Sequence, residues 1–361
     1  MKRLAVFIVV VCSAVVLSGC KDAETPVVRI GHAPHDHHAP LYVAVQNPAY
    51  FKKKLGKYLE ERVSGKEYVL ISEGEEKGIV KIHSGVGGMQ LIRKLHEKQT
   101  DVTFGGVPAI LKMIDSGSPM RIIAPVNTGG AALVGNIELP VEDWEGFLQY
   151  IKQSEEPVRV GYKIQYSVQN IIFEEALELN GISFSRDVEN SGDEVVLMNL
   201  HGAKNLLPAM RNGLIDFFVV MQPFPAEAVV SGDARIISKL TELPPKDKWN
   251  EYPCCALASR EDFIAENLEI IEDLKEIFAE AAVFIKENPY ESSAYVSKWL
   301  GTSVEVEEAS VPNIDYRQGL DESYIRGVNI WAEIMADDGL LTGTVKRALD
   351  EGSLNEILFS E

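Results

Sequence analysis

Two short stretches of the chain repeat each other: Val28-Arg29-Ile30-Gly31 and, 130 positions later, Val158-Arg159-Val160-Gly161. Each is a β-branched run that ends in glycine, a pattern typical of a buried strand that leads into a loop. A stretch with helical spacing of apolar residues follows each copy, around residues 41–44 and 171–177. Such a repeat predicts that one supersecondary unit occurs twice in the fold.

A second pair of stretches supports the duplication, at an offset of 115 positions. The shared positions are three apolar residues, an aspartate and a proline: Leu91, Ile92, Leu95, Asp101 and Pro108, then Leu206, Leu207, Met210, Asp216 and Pro223. The pattern indicates a helix, a turn, a strand and a loop, and the alternative is chance similarity between generic α/β segments. Helices that alternate with buried strands indicate parallel sheets covered on both faces. We therefore predict an α/β protein with two lobes, each built on a parallel-type sheet flanked by helices.

The remaining chain predicts how the lobes are connected. Strand-like segments flank Gly129-Gly130, and another strand centred on residues 254–258 precedes a helical pattern from Glu261 to Glu287. Further helices are predicted over 290–300, 321–337 and 343–358. This order predicts two crossings between lobes, which form a two-strand hinge. Residues 27–129 and 257–361 would form lobe one, and residues 130–256 would form lobe two.

The N-terminal segment is predicted to be an export signal. Lys2 and Arg3 precede an apolar run over residues 4–16, which is short for a membrane span, and Leu17-Ser18-Gly19-Cys20 follows. This ending resembles a bacterial lipobox, which implies that residues 1–19 are removed, that Cys20 carries the lipid, and that residues 20–26 form a tether. The alternative is a plain signal peptide with an incidental cysteine.

The composition bounds the class of protein. The chain has 361 residues, of which 46% are hydrophobic and 25% charged, which fits a globular protein and excludes wholesale disorder. Asp and Glu number 54 against 35 Lys and Arg, so the net charge is −19 and a phosphate backbone would repel the chain. We expect no nucleic-acid partner. Four cysteines are too few for a disulfide scaffold at this length.

Several stretches, taken together and in order, resemble the substrate-binding proteins of ABC importers, in particular the nitrate, sulfonate, taurine and thiamine-precursor group. They are the lipobox at Cys20 and residues 29–31, 38–44, 101–109, 213–216, 254–257 and 261–263. The resemblance covers about residues 27–300 and implies a type II-like periplasmic-binding-protein fold that closes on a ligand by hinge motion. It also implies an exported, lipid-anchored monomer, on the outer face of the cell membrane or in the periplasm. Such a protein delivers a small molecule to an ABC permease and its ATPase.

The predicted ligand site lies between the lobes, because ligands of open α/β sheets bind beyond the carboxyl ends of the strands. The loops expected there carry glycines, which permit a close approach of the backbone, and polar side chains from both halves. We predict that these residues hold a small polar or anionic ligand: His32, His35, His38, Gly87, Gly105, Gly106, Val107, Thr128, Tyr162, Lys163, Tyr166, Ser167 and Gln222. Tyr162 and Tyr166 are able to stack on an aromatic ring, so a pyrimidine-like ligand remains an alternative.

Four of the seven histidines lie in the first strand-to-helix loop, between residues 32 and 38. One interpretation is that they donate hydrogen bonds to the ligand. A second is that His32, His35 and His37, with Asp36, bind a transition metal, since imidazole and carboxylate suit Zn²⁺, Cu²⁺ and Ni²⁺. This would make the protein a receptor for a metal or a metal chelate. The third is that the histidines are solvated or hydrogen-bonded to the backbone.

Cys254 and Cys255 lie in the predicted returning strand. Adjacent strand residues point to opposite faces, so we interpret them as two small buried residues; the alternative is that one thiol faces the cleft. No nucleophile elbow, phosphate loop or His-Glu-x-x-His motif is present, so we predict a binding protein without a cofactor and not an enzyme. The alternative is an enzyme similar to the thiamine-pyrimidine synthase, which shares the general fold but carries a longer cysteine run.

Overall fold

The computed structural model describes residues 25–187 and 192–360, so the predicted signal peptide and Cys20 lie outside the described residues. The strands are β1 (Val27–His32), β2 (Lys57–Val63), β3 (Glu67–Ser72), β4 (Glu75–Ser84), β5 (Val102–Gly106), β6 (Met120–Gly129), β7 (Ala131–Asn136), β8 (Val158–Tyr162), β9 (Phe184–Ser185), β10 (Val195–Asn199), β11 (Phe217–Met221), β12 (Ala234–Lys239), β13 (Pro253–Arg260) and β14 (Ile314–Tyr316).

The helices are α1 (Ala39–Gln46), α2 (Pro48–Leu55), α3 (Gly88–His96), α4 (Val107–Asp115), α5 (Trp144–Gln153), α6 (Val168–Leu179), α7 (Leu206–Arg211), α8 (Phe224–Val230), α9 (Glu261–Glu266), α10 (Leu268–Glu287), α11 (Pro289–Leu300), α12 (Val304–Ser310), α13 (Glu322–Asp337), α14 (Thr344–Glu351) and α15 (Leu354–Leu358). Among these helices, none combines the length and apolar character required to cross a membrane. A single 3₁₀ turn, Asp36–His38, connects β1 to α1.

Two sheets form the cores of the two lobes. The first has eight strands in the order β14-β6-β13-β5-β1-β4-β3-β2, and the second has six in the order β12-β7-β11-β8-β10-β9. The predicted α/β class is confirmed, but both sheets are mixed and not simply parallel. Strands β1 and β8 are parallel to both of their neighbours, whereas β2, β7, β13 and β14 pair in antiparallel fashion. Short hairpin connections, such as those joining β2, β3 and β4, need no helical crossover and therefore give antiparallel pairs.

The repeated stretches occupy equivalent places in the two sheets. In the first copy, Asp101 accepts hydrogen bonds from the backbone N–H of Arg29 (2.8 Å) and from its Nε (2.8 Å). In the second copy, Asp216 accepts the same two bonds from Arg159, both at 3.0 Å. The arginine lies on the central strand and the aspartate lies just before the adjacent strand, β5 or β11. The same polar clamp thus joins the same two strands in each lobe.

The chain crosses between the sheets at two places. Strand β6 ends in the first sheet at Gly129, and β7 begins in the second sheet at Ala131. The return runs through residues 240–252, because β13 already pairs with Thr128 of β6 from Pro253 onward. The return therefore precedes the boundary at residue 256 that we predicted, and Cys254 and Cys255 belong to a first-lobe strand. Helices α13 and α14 pack on α4, so the C-terminal helices complete the first lobe.

Candidate functional site

Loops from both lobes enclose a small cavity of about 30 Å³ at the carboxyl ends of β1, β5 and β8. The first lobe contributes the 3₁₀ turn, the start of α3, the end of β5 and the start of β13. The second lobe contributes the loop between β8 and α6. The lining residues are His35, His37, His38, Gly87, Gly88, Leu91, Phe104, Gly105, Gly106, Ala109, Lys163, Ile164, Tyr166, Ser167, Val168, Gln169, Met221, Cys254 and Cys255. This position is where parallel sheets commonly bind ligands.

His38 presents a hydrogen-bond donor to the cavity. Its Nδ1 accepts the backbone N–H of Ala33 at 3.0 Å, so the proton of the neutral ring lies on Nε2. That Nε2 has no hydrogen-bond partner among the described residues, and neither does Nδ1 of His35. Burial lowers the pKa of both imidazoles well below the usual value, and the charge of Lys163 acts in the same direction. Both rings are therefore neutral near pH 7.

The orientation of the His37 ring is fixed by a hydrogen bond to the crossing between the lobes. Its Nε2 lies 2.8 Å from the carbonyl oxygen of Gly130, the residue between β6 and β7. A carbonyl only accepts, so Nε2 carries the proton and the lone pair lies on Nδ1. This Nδ1 lies 3.9 Å from Sγ of Cys255. The lone pair of Nδ1 thus faces the two thiols, and the thiol of Cys255 lies within hydrogen-bonding distance of it.

Both thiols approach His37, contrary to the interpretation that adjacent strand residues point apart. The pairing of β13 with β6 shifts register between Pro253 and Cys255 and again between Cys255 and Ala256. Such irregularities break the alternation of a strand and re-aim side chains. As a result His37, Cys254 and Cys255, all buried, each place one potential ligand atom within 4.8 Å of the other two.

The pKa values of the two thiols are shifted in opposite directions. Burial raises the pKa of the Cys254 thiol, but the hydrogen bond from Cys255 and the nearby His37 and Lys163 outweigh it and hold this pKa well below its usual range. The pKa of Cys255 is raised well above its usual value, because its proton is shared with Cys254 and because it is buried. Cys254 is therefore the more acidic thiol. Its Sγ also accepts a hydrogen bond from Nε2 of Gln169, in the second lobe, at 3.4 Å.

Lys163 brings a positive charge from the second lobe. Its half-buried side chain reaches Sδ of Met221, where Nζ donates at 3.3 Å to a weak acceptor. Burial lowers the pKa of Lys163, although the two cysteine thiols oppose this shift. Ser167 lies beside it as the N-cap of α6, and its Oγ accepts the backbone N–H of Asn170 at 3.3 Å. The Ser167 O–H proton remains free to donate.

A wider mouth of about 350 Å³ adjoins the cavity and shares four lining residues with it. It is lined by loops of both lobes: residues 33–35 and 85–86 of the first, and residues 163–164, 201–205, 221 and 224 of the second. A site of this size suits the tail of a small organic molecule. The inner cavity, of about 30 Å³, holds only a small ion or two to three water molecules, since each water needs roughly 10–15 Å³.

The structure brings eight of the predicted ligand residues to the cavity: His35, His38, Gly87, Gly105, Gly106, Lys163, Tyr166 and Ser167. The other five lie elsewhere: His32, Val107, Thr128, Tyr162 and Gln222. Tyr162 is the last residue of β8 and points into the second-lobe core, because alternation sends only its neighbour Lys163 to the cleft. Val107 is the first residue of α4 and packs into the first-lobe core.

Thr128 and Gln222 line a separate groove of about 610 Å³. Thr128 Oγ1 donates to the Asp315 carboxylate at 3.1 Å, and Gln222 Oε1 accepts the backbone N–H of Ala226 at 3.2 Å. Thr128 thus bonds to the neighbouring strand β14 and Gln222 bonds to helix α8, and neither side chain lines the histidine cavity.

Two members of the predicted metal set also point away from the cavity. His32 packs against Tyr42 and Trp299, and its Nδ1 lies 3.2 Å from the Tyr42 hydroxyl. Asp36 accepts a hydrogen bond from Ser310, and burial raises its pKa well above the usual value beside Glu307. His32 and Asp36 are therefore excluded from a shared metal site with His35 and His37. His37 alone joins a cluster, with two cysteines that were not among the predicted site residues.

Two mixed α/β lobes, joined by two crossings around a loop-lined cavity, define the periplasmic-binding-protein fold. Solved structures share it: a ligand-binding component of an ABC-type import system from Staphylococcus aureus with zinc bound has a TM-score of 0.69, 13% identity and coverage of 93% of this chain and 97% of that one. The nitrate-binding protein NrtA of Synechocystis has a TM-score of 0.67, 16% identity and coverage of 91% and 86%.

The alkanesulfonate-binding protein SsuA of Xanthomonas axonopodis, bound to MOPS, has a TM-score of 0.65, 14% identity and coverage of 89% and 96%. These likenesses confirm the fold of the nitrate- and sulfonate-binding group that we predicted. The family itself is shown by sequence. The chain belongs to the NMT1-like family, whose model matches residues 21–301.

Proposed function

We propose that this chain is the exported solute-binding component of an ABC importer and that it captures a small anionic ligand between its lobes. The proposal includes an anchor at Cys20, delivery to a permease and no catalysis. The fold is shared with a nitrate-binding protein, a sulfonate-binding protein and a component of an import system. Membership of the NMT1-like family over residues 21–301 supports the same proposal.

The observation that carries the ligand class is the unpartnered Nε2–H of His38, buried beside the Lys163 ammonium. A buried donor without an acceptor costs about 1–3 kcal/mol, so a ligand that accepts from it gains affinity. Lys163 adds positive charge, and the Ser167 hydroxyl adds a further donor. These groups together suit a nitrate, sulfonate or carboxylate head group, whose tail would extend into the 350 Å³ mouth.

Closure follows from the division of these groups between the lobes. His38 belongs to the first lobe, whereas Lys163 and Ser167 belong to the second. A ligand contacts both sets only when the lobes are together, so its binding shifts the population toward the closed form. A permease can distinguish loaded from unloaded protein by this change of shape.

The test begins with mass spectrometry of small molecules that co-purify with the protein. Calorimetry with nitrate, methanesulfonate, taurine and acetate then measures affinity in the wild type and in Lys163→Met. A charge-assisted hydrogen bond contributes about 1.5–3 kcal/mol, so the variant should bind roughly 10- to 100-fold more weakly. Lys239→Met, which changes the 610 Å³ groove instead, is the control and should bind normally. Full affinity in Lys163→Met, or weakened binding only in Lys239→Met, would contradict the proposed site.

A further inference from the structure

The cluster of His37, Cys254 and Cys255 has the geometry of a three-ligand metal site. With Zn–S bonds of about 2.3 Å and Zn–N bonds of about 2.0–2.1 Å, tetrahedral ligand atoms lie roughly 3.6–3.8 Å apart. The observed Nδ1 to Cys255 Sγ distance is 3.9 Å, and no pair among the three atoms exceeds 4.8 Å. A contraction of about 1 Å or less would therefore bring them onto one ion. All three residues come from the first lobe, so lobe motion does not separate them.

His37 makes the kind of hydrogen bond that metal-binding histidines generally make with their second ring nitrogen. A ligating imidazole usually donates its second N–H to a carbonyl or carboxylate, which fixes the tautomer and orients the ring. The Gly130 carbonyl receives that N–H at 2.8 Å and leaves Nδ1 directed at the thiols. Sγ of Cys254 has a similar outer partner in the amide of Gln169. The ligands are thus oriented by the surrounding fold.

The same cavity contains buried polar atoms with no partner among the described residues. They are Nδ1 of His35, Nε2 of His38 and Oε1 of Gln169. Buried polar atoms are normally hydrogen-bonded, so an orphaned set around one cavity points to a ligand or an ordered water there. A metal ion with a coordinated water or anion would supply partners to several of them at once.

The type of ligand and the net charge of the site indicate which metal ions it would bind. Thiolates are soft ligands that favour Zn²⁺ and Cu⁺ over Mg²⁺ or Ca²⁺. Zn²⁺ with two thiolates and a neutral imidazole carries no net charge, so the Lys163 ammonium would balance an anion in the fourth position. Cu⁺ with the same ligands carries one negative charge, which Lys163 balances directly. Either state leaves the buried site close to neutral, as a low-dielectric interior requires.

We propose that His37, Cys254 and Cys255 bind one thiophilic metal ion, Zn²⁺ or Cu⁺, on the hinge side of the cavity. The open coordination position faces Lys163 and His38. Both thiols lose their protons when the ion binds, and no oxidation occurs. The inference rests on the proposed function in one respect: the ion reaches this buried position only when the lobes open.

The experiment uses protein stripped with a chelator and held under reductant. Calorimetry with Zn²⁺, and competition with a Cu⁺ chelator, should each give one ion per chain. Co²⁺ should give a thiolate-to-cobalt charge-transfer band, which is lost in Cys254→Ser plus Cys255→Ser and halved in either single variant. Loss of an outer partner weakens binding by roughly 10- to 100-fold, so His37→Gln should weaken it at least about 100-fold. His83→Gln, at an exposed position of β4 that lines neither the cavity nor its mouth, is the control and should bind normally.

The two proposals fail separately. Zn²⁺ affinity that survives the double cysteine variant would overturn the site, as would a wild-type protein that binds neither ion and shows no Co²⁺ band. A Cys254–Cys255 disulfide in protein purified without reductant, with no metal uptake after reduction, would overturn it as well. In each of these cases Lys163-dependent binding of nitrate or methanesulfonate would still support the solute-binding role. Circular dichroism of each variant separates a lost ligand from a lost fold.

Discussion

The two copies of the arginine–aspartate clamp differ in burial, which predicts a stability difference between Asp101→Ala and Asp216→Ala. Asp101 is 2% exposed and also accepts from Nη2 of Arg260 at 3.0 Å, a side chain that is itself only 9% exposed. Asp216 is 20% exposed, and its partner Arg159 is 41% exposed. The clamps share a geometry but lie in different surroundings.

The expected cost follows from what each truncation leaves behind. Asp101→Ala leaves the buried guanidinium of Arg260 with the Thr100 carbonyl and the Asp262 carboxylate alone, and breaking a buried pair costs about 3–5 kcal/mol. Asp216→Ala leaves Arg159 with water and with the Gly213 carbonyl at 2.7 Å. Losing hydrogen bonds at such a solvent-exposed position lowers the free energy of unfolding by about 1–2 kcal/mol. The difference between the two variants should therefore be about 2–3 kcal/mol.

Urea unfolding followed by circular dichroism measures both free energies of unfolding. With an m-value of about 1–3 kcal/mol/M, the Asp101→Ala midpoint should fall about 0.7–3 M further than that of Asp216→Ala. Asp350→Ala, which removes an exposed ion pair with Lys346, is the control and should change stability by less than about 1 kcal/mol. An equal loss in both clamp variants, or a larger one in Asp216→Ala, would refute the argument from burial.

Two further predictions concern the loop and the hinge. Burial raises the pKa of Asp36 well above its usual value, so the folded chain holds a proton there that the unfolded chain releases. The stability that this carboxyl contributes is full below about pH 4 and is lost as pH rises. Asp36→Asn should flatten this fall, seen as urea midpoints that vary less than those of the wild type between about pH 5 and 8; an unchanged slope would contradict the assignment. Gly130 has a φ of +77°, and a Cβ there would lie 2.7 Å from Nε2 of His37. Gly130→Ala should therefore lower the free energy of unfolding by about 1–2 kcal/mol through backbone strain. The close contact should lower it by about 1–3 kcal/mol more through overpacking. Gly232→Ala, with a φ of +79° and nothing within 4 Å, is the matched control for strain alone, and equal urea midpoints would show that the His37 contact is unimportant.

Sequence reasoning located the cleft because the fold is a repeat of strand, loop and helix. The stretches at residues 28–31 and 158–161 became β1 and β8, and the loops after them, at the same edge of their sheets, face each other. Any residue directly after either strand was therefore a sound candidate. Lys163 illustrates this, since its place one residue after β8 suffices to direct it into the cleft.

Backbone detail decided which loop residues reach the cavity, and no pattern in the sequence encodes it. Residues three apart on a 3₁₀ turn lie on the same side, so His35 and His38 are brought together, with ring centroids 4.2 Å apart. Asp36 is turned toward Ser310 instead. The loop's histidines divide among different environments according to this one turn, whereas the sequence shows them only as a cluster.

Cys254 and Cys255 are buried as predicted, but their thiols do not point to opposite faces, for a similar reason. The rule that neighbouring strand residues face opposite sides holds for a regular strand, and β13 is irregular at these two positions. The irregularity lies where β13 passes the end of β6, beside the crossing at Gly130. A bulge depends on the register with a partner strand more than 100 residues away in the chain, so a single sequence gives no signal for it.

Under the proposed hinge closure, the two lobes would contribute different groups to binding. His35, His37, His38 and both thiols belong to the first lobe, where the 3₁₀ turn, the hinge carbonyl and strand β13 hold them. The second lobe supplies Lys163 and the Gln169 amide, so under the proposed closure these two groups would join the first-lobe residues only when the lobes come together. The ammonium of Lys163 then completes the charge balance, and since this attraction exists only in the closed form, it favours closure rather than the initial encounter.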